Sequence, residues 1–361
     1  MYYPLKPDNM DSIVSHYARE GFVVLTEVED AFTDEFTNIV AHKGSLTSQE
    51  KDLLGKSGKI DLSPEQIQAL KRIDVTSELS NLCLDVIGDI LLKLLGPIIH
   101  TSRDFHFQFK KDNERREILK GYSEDGVEIQ ALYGIHNEFT AARILVSPSG
   151  LVCWVPLNTY EGCALNLFPG THRRGLLTNR WLSKNEIGRA DMGAPVKYYP
   201  RRGEIVLFHF MTMHGSGTSH GQNPVDGIRA SCDIRFFPFC GIIDSEPTCL
   251  VANPIEWIRE RIDQGMDEVL LAPLNETLAF YGERIKSENT RQHSVLSWAE
   301  FIRHWLAGNE QEALEAIARL VNTQQGFDTL ESYQKRFTQI QLYERPFSTL
   351  GIPVPRQDLV K

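Results

Sequence analysis

The sequence predicts a mainly β core with flanking helices, and three observations carry that prediction. Between residues 104 and 239, short runs of strand length recur, separated by turn signals such as Pro169-Gly170 and Arg202-Gly203. No helical stretch interrupts these runs, which favours an antiparallel sandwich or jelly roll over a parallel sheet. On both sides of this region the apolar residues shift to helical spacing.

Taken in order, residues 8–20 read as a helix with Ile13, Val14, Tyr17 and Ala18 on one face. Gly21 ends it, and Phe22-Val23-Val24-Leu25 follows as a short strand. Residues 30–98 are mostly helical, closing with an amphipathic helix from Leu82 to Leu95 that stops at Gly96-Pro97. Within them, residues 44–66 are rich in Ser, Lys, Gly and Asp and read as a loop. Phe105 to Phe109 alternates strictly, as a half-buried strand does. Leu151–Leu157, Glu204–Met213 and Ser231–Phe239 are further β runs. Beyond Asn253 helical spacing returns in Ile255–Met266, Trp298–Leu306, Glu310–Val321 and Leu330–Gln341. The expected division is an N-terminal supporting region (1–100), a β core (101–252) and a C-terminal helical extension (253–361). The apolar stripe Trp298, Phe301, Ile302 and Trp305 suits that extension to packing on the core, to covering a site as a lid, or to a homodimer interface.

A net charge of −10 on 361 residues argues against a nucleic-acid partner, which requires a basic face. It does not argue against a small-molecule substrate. No apolar run approaches the ~20 residues that span a bilayer, and the N-terminus lacks the apolar core of a signal peptide. The six cysteines form no CxxC pair, and several fall within β runs. Reduced, buried thiols and a cytoplasmic location are expected.

The chemistry concentrates between residues 136 and 229. In His136-Asn137-Glu138, a strand conformation would point His136 and Glu138 to the same side. His214 ends the run Gly203–Met213, with Thr212 and Phe210 as same-face partners; His209 would then lie on the outer face, bonded to a neighbour. An HxE pair alone says little. Two imidazoles and one carboxylate on one face of an octahedral ion leave three positions open, and that set is typical of non-heme Fe(II) oxygenases. Arg229 begins the next β run, expected to lie antiparallel to the His214 strand, and its guanidinium suits a distal carboxylate. Ser231, two residues on, adds a hydroxyl on the same face.

Cys153-Trp154-Val155-Pro156-Leu157, Gly162 to His172 (GCALNLFPGTH), Gly203 to His209 (GEIVLFH), and His214-Gly215-Ser216-Gly217 occur in order with His136-Asn137-Glu138 before them and Arg229 after. Together with Tyr17 to Leu25 they resemble the phytanoyl-CoA dioxygenase-like family of Fe(II)/2-oxoglutarate-dependent oxygenases. The likeness runs from about residue 10 to 240. It implies a double-stranded β-helix (a jelly roll, cupin-like) with His136, Glu138 and His214 as ligands to Fe(II). It also implies 2-oxoglutarate as co-substrate, its C5 carboxylate on Arg229, and O₂ as oxidant. Ser216 and Trp154 match positions lining the co-substrate pocket, as does Lys110 or its neighbour Lys111. His172 matches a supporting position in its turn. The sequence departs from the family in carrying glutamate where aspartate is usual.

The expected reaction is hydroxylation of a C–H bond in a small metabolite, such as an amino acid or natural-product intermediate, with 2-oxoglutarate converted to succinate and CO₂. Desaturation, epimerisation or ring formation use the same ligands. Chlorination is disfavoured because Glu138 fills the place that a halide would need. Tyr133, Phe139, Arg143 and Arg173 are candidate substrate contacts, with Arg174 and Phe210 beside them. Two other classes fit the residues. One is a cupin-like metal enzyme without 2-oxoglutarate, which has no need of Arg229; the other is a non-catalytic binding protein, which releases no succinate.

Overall fold

The computed structural model describes residues 1–48, 51–52, 63–73, 75–96, 98–101, 106–111, 119–122, 128–131, 135–138, 150–174, 192–217, 227–238 and 247–250, with short pieces at 264, 309, 312, 341–342 and 345–346. In chain order the elements begin with β1 (Tyr2–Pro4), α1 (Met10–Glu20), β2 (Phe22–Thr26), α2 (Asp30–Lys43), α3 (Pro64–Leu70) and α4 (Thr76–Leu95). Then come β3 (Ile98–Thr101), β4 (His106–Lys111), β5 (Leu119–Tyr122), β6 (Glu128–Ala131), β7 (Leu151–Pro156) and β8 (Leu165–Leu167). They are followed by β9 (Val196–Tyr198), β10 (Ile205–His209), β11 (His214–Ser216), β12 (Ile228–Pro238), β13 (Pro247–Cys249), β14 (Gln341–Leu342) and β15 (Arg345–Pro346).

The chain separates into two compact units, one of residues 1–87, 104–143 and 151–235, the other of 88–103, 144–150 and 236–361. The first unit has a mainly β core with flanking helices, built from two sheets in the jelly-roll manner. Its larger sheet runs β1-β2-β10-β7-β12, with β4 also paired to β12. β10 lies antiparallel between β2 (Val206 opposite Val24) and β7 (Val206 opposite Trp154). The smaller sheet is β11-β8-β9, with His214 opposite Leu167 and Leu165 opposite Tyr198. Side chains of β2, β7 and β10, including Val23, Val24, Val152, Val206 and Leu207, are fully buried and supply the apolar core.

β12 is the strand that matters most for the site. Ala230, Cys232 and Ile234 face one way, while Arg229, Ser231, Asp233 and Arg235 face the other, and all seven are buried. A row of buried charges on one face of a strand is costly unless each charge finds a partner. Opposite it, β4 places Lys110 against Arg229 and Gln108 against Ser231.

In the second unit β3 pairs with the end of β12 (His100 opposite Phe237) and with β13 (Ile99 opposite Thr248). β14 and β15 pair with each other. Gln341, expected at the end of a helix, therefore lies in a two-residue strand. Apart from Gln264, which lies in a turn, and Glu312, which is helical, the remaining helices expected after residue 253 lie outside the described residues. Among those described, no helix is long and apolar enough to cross a membrane.

Several expected boundaries move. α4 begins at Thr76, before the first strongly apolar turn at Leu82, and β12 begins three residues before Ser231. The run expected as one strand from Glu204 to Met213 is broken after His209, where the Thr212 amide bonds the His209 carbonyl (2.8 Å) and closes a turn. Position parity along a single strand therefore does not separate His209 from His214. The turn does, by moving His214 into the other sheet.

The first helix does end at Gly21, which adopts φ +81° and bonds its amide to the Tyr17 carbonyl at 2.7 Å. A Cβ placed there would lie 2.4 Å from His172 Nδ1 and 2.5 Å from Thr212 Oγ1. Strain and collision add, so Gly21→Ala is expected to lose on the order of 2 kcal/mol of stability, read as a lowered urea midpoint with unchanged slope.

Candidate metal centre

His136 is fixed by a single β-bridge to His214. Each amide donates to the other's carbonyl, at 3.0 Å from His136 and 2.8 Å from His214. A closely bonded antiparallel pair turns both side chains to one side, and the two rings lie 4.4 Å apart by centroid. Contrary to the sequence expectation, His136 and Glu138 do not share a regular strand. Only His136 pairs, Glu138 is already helical, and its amide is tied to the Phe210 carbonyl at 3.0 Å.

Three donor atoms converge nonetheless. Glu138 Oε1 stands 3.3 Å from His214 Nε2 and 3.8 Å from His136 Nε2. The three ligand atoms lie within 4.8 Å of one another, on buried residues. Around an ion with bonds of about 2.1 Å, neighbouring ligands stand roughly 3 Å apart, so small side-chain adjustments close this set on a divalent cation. Two neutral nitrogens and one anionic oxygen also suit Fe(II) in type.

The surroundings orient these donors. His214 Nδ1 donates to the Thr212 carbonyl at 3.0 Å, which leaves Nε2 with its lone pair exposed as metal ligation requires. Thr212 is itself held by its hydroxyl, which donates to the Gly21 carbonyl at 2.8 Å. Arg235 grips Glu138 through Oε2, with Nη2 at 2.7 Å and Nε at 3.0 Å. Burial by itself would raise the Glu138 carboxyl, but the Arg235 guanidinium, with the neighbouring rings of His136 and His214, outweighs it and holds the group well below the usual carboxylate range.

The same unit also carries a cluster of buried polar and cationic groups around Arg229. Arg229 is 1 % exposed, with its guanidinium 5.5 Å from the centre of the Trp154 ring. Its Nη1 donates to the carbonyls of Ala164 (3.0 Å) and Cys163 (3.5 Å), and Nη2 donates to Gln108 Oε1 (3.3 Å). Gln108 Nε2 in turn donates to Asp233 Oδ2 at 2.6 Å, which fixes the orientation of its amide. Arg229 Nε and Ser231 Oγ are buried without a hydrogen-bond partner among the described residues. Lys110 Nζ donates to Ser216 Oγ at 2.8 Å, two residues past His214 on β11. Two cations and two unfilled polar atoms make a ready carboxylate receptor.

The structure thus brings His136, Glu138, His214, Arg229, Ser231, Ser216, Trp154 and Lys110 into the same unit, where the first three converge, Arg229 lies by Trp154 and Lys110 bonds Ser216. Of the two lysines, Lys110 pairs with Arg229 and bonds Ser216, whereas Lys111 pairs with Ile228. The strand of Arg229 is not the antiparallel neighbour of the His214 strand, as expected. β12 and β11 belong to different sheets, and Arg229 reaches the start of β8 across the gap between them. Arg173 and Arg174 are exposed on a short 3₁₀ turn. Phe210 is fully buried. Tyr133, Phe139 and Arg143 lie outside the described residues. Sequence reasoning missed Arg235, Gln108 and Asp233. The signal was there for Arg235 and Asp233, which share the i+2 spacing from Arg229.

His209 is buried rather than on an outer face. Its Nδ1 accepts from the Met211 amide at 3.1 Å, and its ring lies 5.2 Å from that of His172 and 6.3 Å from that of Tyr17. His172 supports its turn as expected, its Nε2 lying 3.1 Å from the Ala18 carbonyl. Burial, and to a lesser degree His172, push His209 down to about 3. The folded state keeps this ring neutral, while the unfolded chain binds a proton below about pH 6.5. The contribution of His209 is therefore present above pH 6.5 and is lost as pH falls towards 3. Urea midpoints are expected to fall between pH 7 and pH 4, and His209→Gln is expected to flatten that fall.

The convergence of two imidazoles and a carboxylate beside a buried arginine, on a two-sheet β core, defines the class of a non-heme iron, keto-acid-dependent oxygenase. The phytanoyl-CoA dioxygenase (PhyH) family model matches residues 19–224, and the chain belongs to that family. The enzyme is a non-heme Fe/2-oxoglutarate-dependent oxygenase, with iron, 2-oxoglutarate and O₂ as its reactants and cofactors. The matched span contains His136, Glu138 and His214 and ends before Arg229. No curated protein sequence matches the chain. Among solved structures, it is similar to the α-ketoglutarate-dependent epimerase SnoN of nogalamycin biosynthesis, at 17% identity over 65% of this chain and 85% of that one, with TM-score 0.39. It is also similar to the carbocyclase SnoK of nogalamycin biosynthesis, at 15% identity over 64% and 85%, with TM-score 0.43. A third is EctD from S. alaskensis with 2-oxoglutarate and 5-hydroxyectoine, at 16% over 62% and 74%, with TM-score 0.43. These likenesses are distant and say nothing of the reaction.

Proposed function

We propose that this oxygenase hydroxylates a C–H bond of a small metabolite, an amino acid or natural-product intermediate, while 2-oxoglutarate is converted to succinate and CO₂. In this reading His136 Nε2, Glu138 Oε1 and His214 Nε2 hold the ferrous ion. The ion, when bound, supplies the open coordination at which the keto acid and O₂ react. Arg229 receives the distal carboxylate of 2-oxoglutarate, with Ser231, Ser216 and Lys110 lining the same pocket and Trp154 packing against the guanidinium. What supports this is the pairing of a three-donor cluster with a buried arginine whose Nε has no hydrogen-bond partner among the described residues.

The protein's own contribution is positional. The Thr212 carbonyl sets the His214 tautomer, and the Arg235 guanidinium keeps Glu138 ionised among buried residues. A panel of amino acids and amphiphilic metabolites, incubated with Fe(II), ascorbate and 2-oxoglutarate, tests the reading. The correct substrate stimulates succinate release and returns a product heavier by one oxygen atom. Stimulated succinate release with a product lighter by two hydrogens, or of unchanged mass, would replace hydroxylation by desaturation or epimerisation. Absence of succinate with every compound would remove the 2-oxoglutarate reading.

A further inference from the structure

The acidic residue of the triad is a glutamate, whose side chain has one more rotatable bond than aspartate and whose carboxylate can chelate a cation through both oxygens. Chelation would matter here. Two histidines and one carboxylate oxygen leave three of six octahedral positions for co-substrate and O₂, whereas a chelating carboxylate leaves two. Something must hold Glu138 to one oxygen.

We propose that Arg235 is the positioning residue that does so, tying down Oε2 so that Glu138 presents Oε1 alone. The inference rests on the metal site proposed above. An arginine meeting a carboxylate commonly spreads two N–H groups over two oxygens. Arg235 does not: Nη2 (2.7 Å) and Nε (3.0 Å) both converge on Oε2. Oε1 is left facing His214 and His136 at 3.3 and 3.8 Å. The guanidinium is in turn held by its strand. Arg235 is buried and shares its face of β12 with Arg229, Ser231 and Asp233, so the strand that carries the co-substrate anchor also sets the acidic ligand. Two elements of the site that lie far apart in sequence, Glu138 and Arg229, are thereby registered by one rigid strand.

Charge alone predicts the opposite of positioning. A guanidinium beside a cation site repels the cation, so removing a mere charge partner should tighten metal binding. Removing a positioning group should weaken it, and outer partners of metal ligands typically contribute about 10- to 100-fold in affinity. The test is anaerobic titration of the full chain with Co(II) as probe, following both affinity and the visible d–d spectrum. Arg235→Met is expected to bind Co(II) 10- to 100-fold more weakly than the unmodified protein and to show an altered d–d spectrum. Arg235→Lys, which keeps the cation but offers a point charge in place of two fixed donors, is expected to regain part of the affinity and none of the original spectrum. It also covers the case in which Arg235→Met fails to fold. Unchanged or tighter binding with an unchanged spectrum in Arg235→Met, or full recovery of both by Arg235→Lys, would overturn the proposal. If the unmodified protein itself binds no Co(II), the metal site falls, and this inference falls with it.

Discussion

Glu138→Ala is expected to abolish turnover, lowering kcat by more than three orders of magnitude, roughly 4 kcal/mol in the barrier. Two effects act together. The variant loses the one anionic donor, Oε1, that stands between the two histidines. It also removes the carboxylate that Arg235 grips through Oε2, and that guanidinium would then repel a cation placed in the same space. Metal binding should therefore fail along with turnover. Glu138→Asp separates the two effects: the carboxylate remains but withdraws by one methylene from Arg235, so partial metal binding with poor turnover is expected. Retention of metal-dependent succinate formation by Glu138→Ala would remove Glu138 from the site.

The second large effect belongs to Arg229. Truncation to alanine is expected to raise the KM for 2-oxoglutarate by roughly 10²- to 10³-fold, in line with about 2–5 kcal/mol for a buried charge pair that loses one partner. The KM for the hydroxylated substrate should change far less, and that split separates an anchor from a general structural role. Arg229→Lys keeps the charge but loses the fork to Ala164 and Gln108 and the contact with Trp154, so a smaller rise is expected, with no return to the original value. Equal loss for both substrates would assign Arg229 to the scaffold, and an unchanged KM for 2-oxoglutarate would point to a cupin-like enzyme that does not use it.

The three candidate donors that the structure brings together were legible in the sequence through the family resemblance, which rests on the order of the motifs. His136, Glu138 and His214 sit in segments whose sequence also encodes turns and strands, and Arg229 opens a β run. The way they are assembled was not legible. A single strand from Glu204 to Met213 was a reasonable reading of an apolar run, and nothing local in that run announces the turn at residues 210–213. That turn delivers His214 to a different sheet from His209. Arg235 went unseen because an arginine near the end of a β run reads as a surface residue. Its i+2 spacing from Arg229 places it on the same face of β12, but its partner Glu138 is remote in sequence. Gln108 and Asp233 are of the same kind, a half-buried amide that meets Arg229 and a buried carboxylate that holds that amide. The candidate substrate contacts Tyr133, Phe139 and Arg143 lie outside the described residues.

The central claim is that His136, Glu138 and His214 bind one ferrous ion with room for a chelating keto acid beside Arg229. Anaerobic addition of Fe(II) and then 2-oxoglutarate tests it directly. A weak visible metal-to-ligand charge-transfer band should appear with the unmodified protein, vanish in His214→Ala, and require much more 2-oxoglutarate in Arg229→Ala. No band in the unmodified protein, or a band of full strength in His214→Ala, would contradict the claim.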